Sequence, residues 1–214
     1  MKKGLFITFE GGECTGKTTI IGSIQKTLEE KGYKVITTRE PGGIDIAEQI
    51  RDIILNKKNT KMTSEAEALL YAASRIQHLK EKVIPALLEG TIVLCDRYID
   101  SSYVYQGFGR GLGIDNVNKV NCFALDYLPD LTLFIDIEPE IALKRLQNRE
   151  KSDRLDNETL DFHKNVYNGY LKICDLYKDR IVKIDGRNDL DKVLNDCLDK
   201  VMELVNAKMW WVYN

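Results

Sequence analysis

Apolar positions along the chain fall into short continuous runs that alternate with longer amphipathic stretches. Leu5-Phe6-Ile7-Thr8-Phe9 is the first run and predicts a buried strand. Thr19, Ile20, Ile21, Ile24 and Leu28 follow at helical spacing, and Gly32 is placed to stop a helix ending near Lys31. Val35-Ile36-Thr37-Thr38 predicts a second strand. Arg39-Glu40-Pro41-Gly42-Gly43 predicts a turn-rich loop, and Ile46, Ile50, Ile53 and Ile54 another helix. Ser64-Glu65-Ala66-Glu67 has the spacing of a capping box for a longer helix through Leu69, Leu70, Ala73, Ile76, Val83 and Leu87. Pro85 would kink or split that helix and Gly90 would close it. Thr91-Ile92-Val93-Leu94-Cys95 is an apolar run ending in Asp96, the pattern of an interior parallel strand. Leu131-Thr132-Leu133-Phe134-Ile135 and Ile181-Val182-Lys183-Ile184 add two strands. Between them, Pro139 suits the first turn of a helix carrying Ile141, Leu143 and Leu146, and a further helix runs from about Leu160 to Tyr177. The final helix repeats through Leu190, Val193, Leu194, Cys197, Leu198, Val201, Met202 and Val205.

This alternation, with no internal repeat and no low-complexity linker, predicts a single α/β domain over 1–214. Its expected architecture is an open, mostly parallel five-stranded sheet with helices on both faces. Ligands of such sheets sit beyond the carboxyl ends of the strands. Glu10, Arg39, Asp96 and Asp185 all stand just past strand ends, so they are expected to face that crevice.

Composition narrows the class. Lys and Arg number 31 against 33 Asp and Glu, a formal net charge of -2, which argues against a general nucleic-acid or membrane-surface binder. No apolar run is long enough to span a bilayer, and the sequence read from its first strand leads to the expectation of no signal peptide and of a cytoplasmic location. The five cysteines (Cys14, Cys95, Cys122, Cys174, Cys197) contain no Cys-x-x-Cys pair and suit a reduced compartment. His78 and His163 are too few and too separated for a zinc site and read as surface or partly packed residues.

The chemistry concentrates where strand one meets helix one. Gly11-Gly12-Glu13-Cys14-Thr15-Gly16-Lys17-Thr18 is Gly, four residues, Gly-Lys-Thr. Between a strand and a helix this is a phosphate-binding P-loop. Its backbone N–H groups curl inward, the helix N-terminus adds partial positive charge, Lys17 adds a full one, and Thr18 offers a hydroxyl to Mg²⁺. A second group is Asp96-Arg97, followed by Ser101, Ser102, Tyr105 and Gln106. An acid ending a strand in a P-loop protein is a candidate magnesium partner, and the adjacent Arg97 can clamp phosphate oxygens. Tyr71 and Arg75 form a third group, four apart and so on one helical face, where a ring can stack a base and a guanidinium can donate to its carbonyl. On that spacing alone, core packing or a surface pair is the first reading, because helices carry Tyr and Arg four apart routinely. Arg145, Arg149 and Arg154 surround a polar stretch from Asn148 to Asn157. They read either as a solvated helix end or as an arginine-bearing lid that closes over the reacting phosphates. The variable P-loop positions hold no basic residue, so a transition-state arginine must come from elsewhere, which favours the lid.

Phe9-Glu10-Gly11-Gly12-Glu13, Thr38 through Gly43, Tyr71-Ala72-Ala73-Ser74-Arg75 and Asp96 through Gly107 together resemble the bacterial thymidylate kinase family in order and spacing. Arg154-Leu155-Asp156 with Asp161-Phe162-His163 is similar to that family's lid and following helix. The resemblance runs to about Val205. It implies a P-loop nucleoside monophosphate kinase fold that phosphorylates dTMP to dTDP with ATP and Mg²⁺, and a homodimer built on helices. It also implies residue roles. Lys17 and Thr18 would serve the ATP phosphates and magnesium, with Gly11 to Thr19 forming the loop and Asp96 assisting the metal. Glu13 would sit near the deoxyribose 3′-hydroxyl. Arg39, Arg51 and Arg97 would surround the dTMP phosphate beside Glu40 and Pro41. Tyr71 would stack on thymine, with Arg75, Ser102 and Gln106 on its edge and Tyr105 against the sugar. Arg149 and Arg154 would be lid arginines of catalysis (lid about 145–157), and Arg145 and Arg187 would lie on the ATP side. Three departures stand out: Tyr71 where Phe is frequent, Cys14 where glycine is frequent, and an aromatic tail, 207–214, outside the family pattern. Rival readings are another nucleoside monophosphate kinase or a P-loop nucleotide sensor without transfer activity. A GTPase is disfavoured because the Asn/Thr-Lys-x-Asp motif is missing.

Overall fold

A computed structural model of the chain describes residues 4–13, 15–146, 154–155 and 158–209, with only the backbone described for 143–146. Five parallel strands form one open sheet: β1 (Phe6–Glu10), β2 (Val35–Arg39), β3 (Ile92–Asp96), β4 (Leu131–Asp136) and β5 (Ile181–Asp185), in the order β2-β3-β1-β4-β5. Every residue of the central β1 is buried, whereas β2 and β5 at the edges are partly exposed. That is why the central runs are continuously apolar and the edge runs are mixed.

The helices are α1 (Lys17–Glu30), α2 (Asp45–Leu55), α3 (Ser64–His78), α4 (Ile84–Leu88), α5 (Ile99–Ser102), α6 (Ile114–Val120), α7 (Pro139–Leu146), α8 (Leu160–Leu176) and α9 (Leu190–Lys208). Side chains alternate between the two sheet faces, as a pleated strand requires. Ile7, Phe9, Leu94, Leu133 and Ile135 join Ile20, Ile24 and Leu28 of α1 and Val193, Cys197 and Val201 of α9 in one core. Phe6, Val93, Cys95 and Phe134 join Leu79, Val83, Tyr98, Tyr170 and Ile173 in the other. Each such aliphatic side chain contributes about 1.5–3 kcal/mol when fully buried.

Three local features depart from the sequence-based expectations. The cap of α3 is Thr63, whose hydroxyl accepts from the Ala66 N–H at 3.3 Å, so the cap lies one residue before the expected box. Pro85 does not split the following helix. A π-helical turn (Leu79–Val83) interrupts the α-helical ladder and carries α3 into α4, with Pro85 in the first turn of α4. The segment after Asp96 has no clear periodicity, yet it folds into α5, a π-helical stretch (Tyr103–Gly109), α6 and a 3₁₀ segment (Cys122–Tyr127).

The strand register brings the carboxyl ends level. Phe9 pairs with Asp96, Arg39 with Asp96, and Glu10 with Phe134. The end of β3, the β2 loop and the β1 loop therefore meet at one edge. The expected tail is shorter than its sequence suggests: Ala207 and Lys208 belong to α9 and Met209 packs into the first core, while Trp210–Asn214 lie outside the described residues.

Candidate active site

The loop between β1 and α1 is built by two glycines with positive φ. Gly11 has φ 142°, and a Cβ there would stand 2.8 Å from the Ile135 carbonyl oxygen. Gly16 has φ 87° and caps α1 in the left-handed conformation. The Lys17 ammonium folds back into the loop and donates to the Gly11 and Gly12 carbonyls at 3.2 and 2.8 Å and to the Thr15 hydroxyl at 3.3 Å. Burial, reinforced by the Arg97 charge, lowers its pKa from the usual lysine value. The ammonium is therefore a desolvated cation whose direct partners carry only partial charge.

Asp96 stands across from the loop. Its Oδ2 lies 3.5 Å from the Thr18 hydroxyl, and its buried Oδ1 has no partner among the described residues. One carboxylate and one hydroxyl facing a phosphate loop fit Mg²⁺, which keeps several waters and takes its other ligands from phosphates. No group of three His, Cys, Asp or Glu side chains that could cage a metal occurs among the described residues.

The chain reverses at Arg97, the one non-glycine residue with a positive φ (67°) among the described residues. Such a backbone needs outside support. The Arg97 N–H donates to the Phe9 carbonyl at 2.9 Å, and the next N–H, of Tyr98, to Glu10 at 2.8 Å. Glu10 also accepts from the Ser101 N–H and hydroxyl and from the Tyr170 hydroxyl. Burial, then the Asp100 charge, pushes its carboxyl above the usual range. Glu10 thus faces inward as a buried anchor for this turn and does not line the cleft. The Arg97 guanidinium donates to Glu13 at 2.5 Å, to Ser101 and to Tyr170, and lies 5.3 Å from the Tyr105 ring centre.

A second buried acid, Glu40, accepts from Arg75 Nε at 2.7 Å and is bonded to His78 Nδ1 at 3.0 Å. His78 is fully buried and also bonded to the Thr38 hydroxyl at 2.7 Å, so the expectation of a surface or partly packed histidine is wrong for it. Its helical position, one turn past Ser74 on the face of α3 that meets β2, explains the difference. His163 is half-buried, as expected.

A cleft of about 430 Å³ joins these groups. It is lined by Glu13, Thr15, Gly16, Lys17, Thr18, Thr19, Arg39, Glu40, Pro41, Arg51, Tyr71, Arg75, Asp96, Arg97, Tyr105 and Gln106 among the residues singled out from sequence. Gly11 and Gly12 shape the loop beneath it. Arg39 donates to Glu48 at 2.9 Å, and Arg51 donates to the Pro41 carbonyl at 2.8 Å. Ser102 is buried beside the cleft, with a hydroxyl that has no partner among the described residues.

Other expected residues stand apart. Arg187 and Asp185 pair with each other on the surface, outside the cleft. Arg154 donates to the Ile54 carbonyl at 2.8 Å and to Glu67 at 2.5 Å, so it packs against α2 and α3 and away from the P-loop. The Arg145 backbone lies in the last turn of α7, while its side chain, Arg149 and Cys14 lie outside the described residues. Ser101, named with the Asp96-Arg97 group, also lines the cleft; sequence reasoning missed Glu67, Arg110 and Tyr170. Glu67 was legible in principle: with Tyr71 and Arg75 it repeats every four residues on one helical face.

The sequence model of the family described as thymidylate kinase matches residues 9–197. The chain belongs to the thymidylate kinase family. It is 57% identical to the thymidylate kinase of Clostridium novyi (strain NT) over 199 residues, covering 92% of this chain and 97% of that one. It is 52% identical to that of Shouchella clausii (strain KSM-K16) over 208 residues, covering 96% and 98%. It is 54% identical to that of Bacillus velezensis over 204 residues, covering 94% and 96%. Identity of this depth across the full sheet means that thymidylate kinase relatives share the elements that form the cleft. Among the described residues no helix is long and apolar enough to cross a membrane, and Cys95, Cys122, Cys174 and Cys197 are unpaired thiols.

Proposed function

We propose that this chain transfers the γ-phosphoryl group of ATP to dTMP, with Mg²⁺, giving dTDP and ADP. A phosphate oxygen of dTMP forms the new bond to γ-phosphorus as the bond to the ADP oxygen breaks. That oxygen is already an anion, so no general base is needed. The work left to the protein is alignment and charge neutralisation. The observation that carries the reading is the single cleft, in which the P-loop meets a second group of cationic and aromatic side chains.

In this reading the P-loop amides, Lys17 and Thr19 hold the donor phosphates. A magnesium ion held by Thr18 and Asp96 would draw charge from the phosphates. Arg39, Arg51 and Arg97 take the acceptor phosphate, and Glu13 meets the sugar 3′-hydroxyl. Tyr71 stacks on the base, Arg75, Ser102 and Gln106 read its edge, and Tyr105 packs at the 2′ position. Arg75 suits this role because Glu40, Asn121 and the Tyr98 carbonyl take three of its five N–H groups and leave two. Arg149 and Arg154 serve in the lid, which for Arg154 means leaving Glu67. Arg145 lies on the ATP side, and Arg187 borders the ATP base.

The unpaired thiols support a cytoplasmic location. Exposed apolar side chains such as Ile46, Ile53, Leu69 and Phe123 support a homodimer, which sedimentation at micromolar concentration tests. The decisive assay is ADP release with a panel of nucleoside monophosphates. Stimulation by dTMP above all others is expected. Preference for AMP, CMP or GMP would make the chain a different monophosphate kinase, and slow phosphate release without acceptor stimulation would make it a nucleotide sensor.

A further inference from the structure

Glu67 lies on α3 one turn before Tyr71, with its side chain 2% exposed. Three residues donate to its carboxylate: Gln106 Nε2 at 2.8 Å, Arg110 Nε and Nη2 at 3.3 and 3.1 Å, and Arg154 Nη2 at 2.5 Å. Burial pushes the carboxyl up, but the bonds from Arg110, Gln106 and Arg154 outweigh it and hold the group below the usual carboxylate range. Glu67 is therefore ionised at neutral pH, and an ionised carboxylate only accepts.

A side-chain amide can usually turn over and exchange its oxygen with its nitrogen. Gln106 cannot do so here. Turning it would set its carbonyl oxygen against a buried carboxylate and leave both acceptors without a proton between them. With Nε2 committed to Glu67, the amide oxygen is the acceptor that Gln106 brings to the cleft it lines.

We propose that Glu67 is a positioning residue for base selection. By fixing the Gln106 amide it makes the cleft accept a pyrimidine whose N3 carries a proton and reject one whose N3 is itself an acceptor. This rests on the reading of Gln106 as a base-edge contact. Thymine and uracil present N3–H to the amide oxygen. Cytosine presents a lone pair, and its 4-amino group meets the remaining donors of Arg75 where thymine presents a carbonyl. A site built around one hydrogen-bond pattern discriminates strongly, because the wrong partner leaves buried groups unpaired.

The test compares kcat/KM for dTMP and dCMP in the full-length enzyme and in Glu67→Gln, which keeps the shape but can donate as well as accept. The dTMP-to-dCMP ratio should fall about tenfold or more, chiefly through a higher KM for dTMP, while KM for ATP stays within about twofold. Glu67→Asp, which retains the charge, should keep an intermediate ratio, and it carries the test alone should the glutamine variant not fold. An unchanged ratio, or an equal loss for both substrates as a merely structural role would give, overturns the proposal. Gln106→Ala separates the two layers. If it leaves the ratio intact, the base-edge reading has failed. If it collapses the ratio while the Glu67 variants do not, only the role of Glu67 has failed.

Discussion

The two halves of the cleft are built from different materials. The half around Lys17 is one continuous loop of backbone amides and carbonyls between β1 and α1. The half around Tyr71 is assembled from α2, α3, the loop after β2 and the segment after β3, and its cations come from distant parts of the sequence. Their charges are also handled differently. The Lys17 ammonium has carbonyl and hydroxyl oxygens as its hydrogen-bond partners, and burial lowers its pKa. The guanidinium groups of the other half already meet acids: Arg39 meets Glu48, Arg75 meets Glu40, and Arg97 meets Glu13. An incoming anion therefore gives Lys17 its first hydrogen-bonded full counter-charge, since Asp96, Glu13 and Glu10 act on it only through space, whereas in the acceptor half it must share a cation with a hydrogen-bonded resident carboxylate. A backbone cradle offers N–H donors with one cation free of carboxylate hydrogen bonds, and a side-chain cradle spends part of its charge on holding shape.

The largest effect should come from the donor half. Lys17→Met removes the cation that no neighbouring acid balances by hydrogen bonding, and turnover should fall by about 10³-fold. In the acceptor half, Arg97→Ala should lower turnover about 10²-fold while ATP binding survives, because Glu13, Ser101 and Tyr170 already divide that guanidinium among them. Single-turnover rates and ATP titrations of both variants decide the matter. A larger loss for Arg97→Ala, or a loss of ATP binding with it, would erase the distinction between the halves.

The same difference explains what could be read from sequence. A cradle of consecutive residues leaves a consecutive signature, so the P-loop and the strand that feeds it were visible, and so were the other central strands as continuous apolar runs and the two edge strands as shorter, mixed runs rich in β-branched residues. The buried acids were not visible. Glu10 and Asp185 are each the last residue of their strand, yet Glu10 turns inward to brace the Arg97 reversal while Asp185 stays on the surface with Arg187. Nothing local separates them; the difference is whether another element packs above. His78 likewise looks like any polar helix residue until β2 brings Thr38 and Glu40 against it. The π-helical stretch that carries Tyr105 and Gln106 into the cleft has no repeat of its own to detect.

Acid titration sharpens the comparison through Glu67. An unfolded glutamate takes its proton near 4.5, while folded Glu67 holds out to lower pH. Between those values the unfolded chain binds more protons, so stability rises with pH there. The Glu67 contribution is complete above the unfolded value and is lost as pH falls through the folded one. Glu67→Gln should lower stability at neutral pH by about 1.5–3 kcal/mol, the scale of hydrogen bonds to a charged group. It should also flatten the dependence of melting temperature on pH below 4.5. An equally steep acid limb in the variant would mean that other carboxylates govern it.

The smallest effect is expected at Arg187, which belongs to neither half. It donates through Nε and Nη2 to Asp185 at 2.8 and 2.9 Å, and its side chain is 61% exposed. That pair holds the Asp185 carboxyl down to about 2, its chief cause being the Arg187 hydrogen bond. Solvent screens such a pair, and its partners are only two residues apart, so Arg187→Ala should leave the melting temperature unmoved. The visible change should be local: the Asp185 carboxyl, followed by NMR, returns toward its ordinary value of 3.8. KM for ATP should change by less than about threefold, as befits a residue proposed to border a base and not a phosphate. A tenfold rise would place this guanidinium on the nucleotide during turnover. The donor half would then also depend on a side-chain cation taken from a surface carboxylate, and backbone alone would no longer distinguish it.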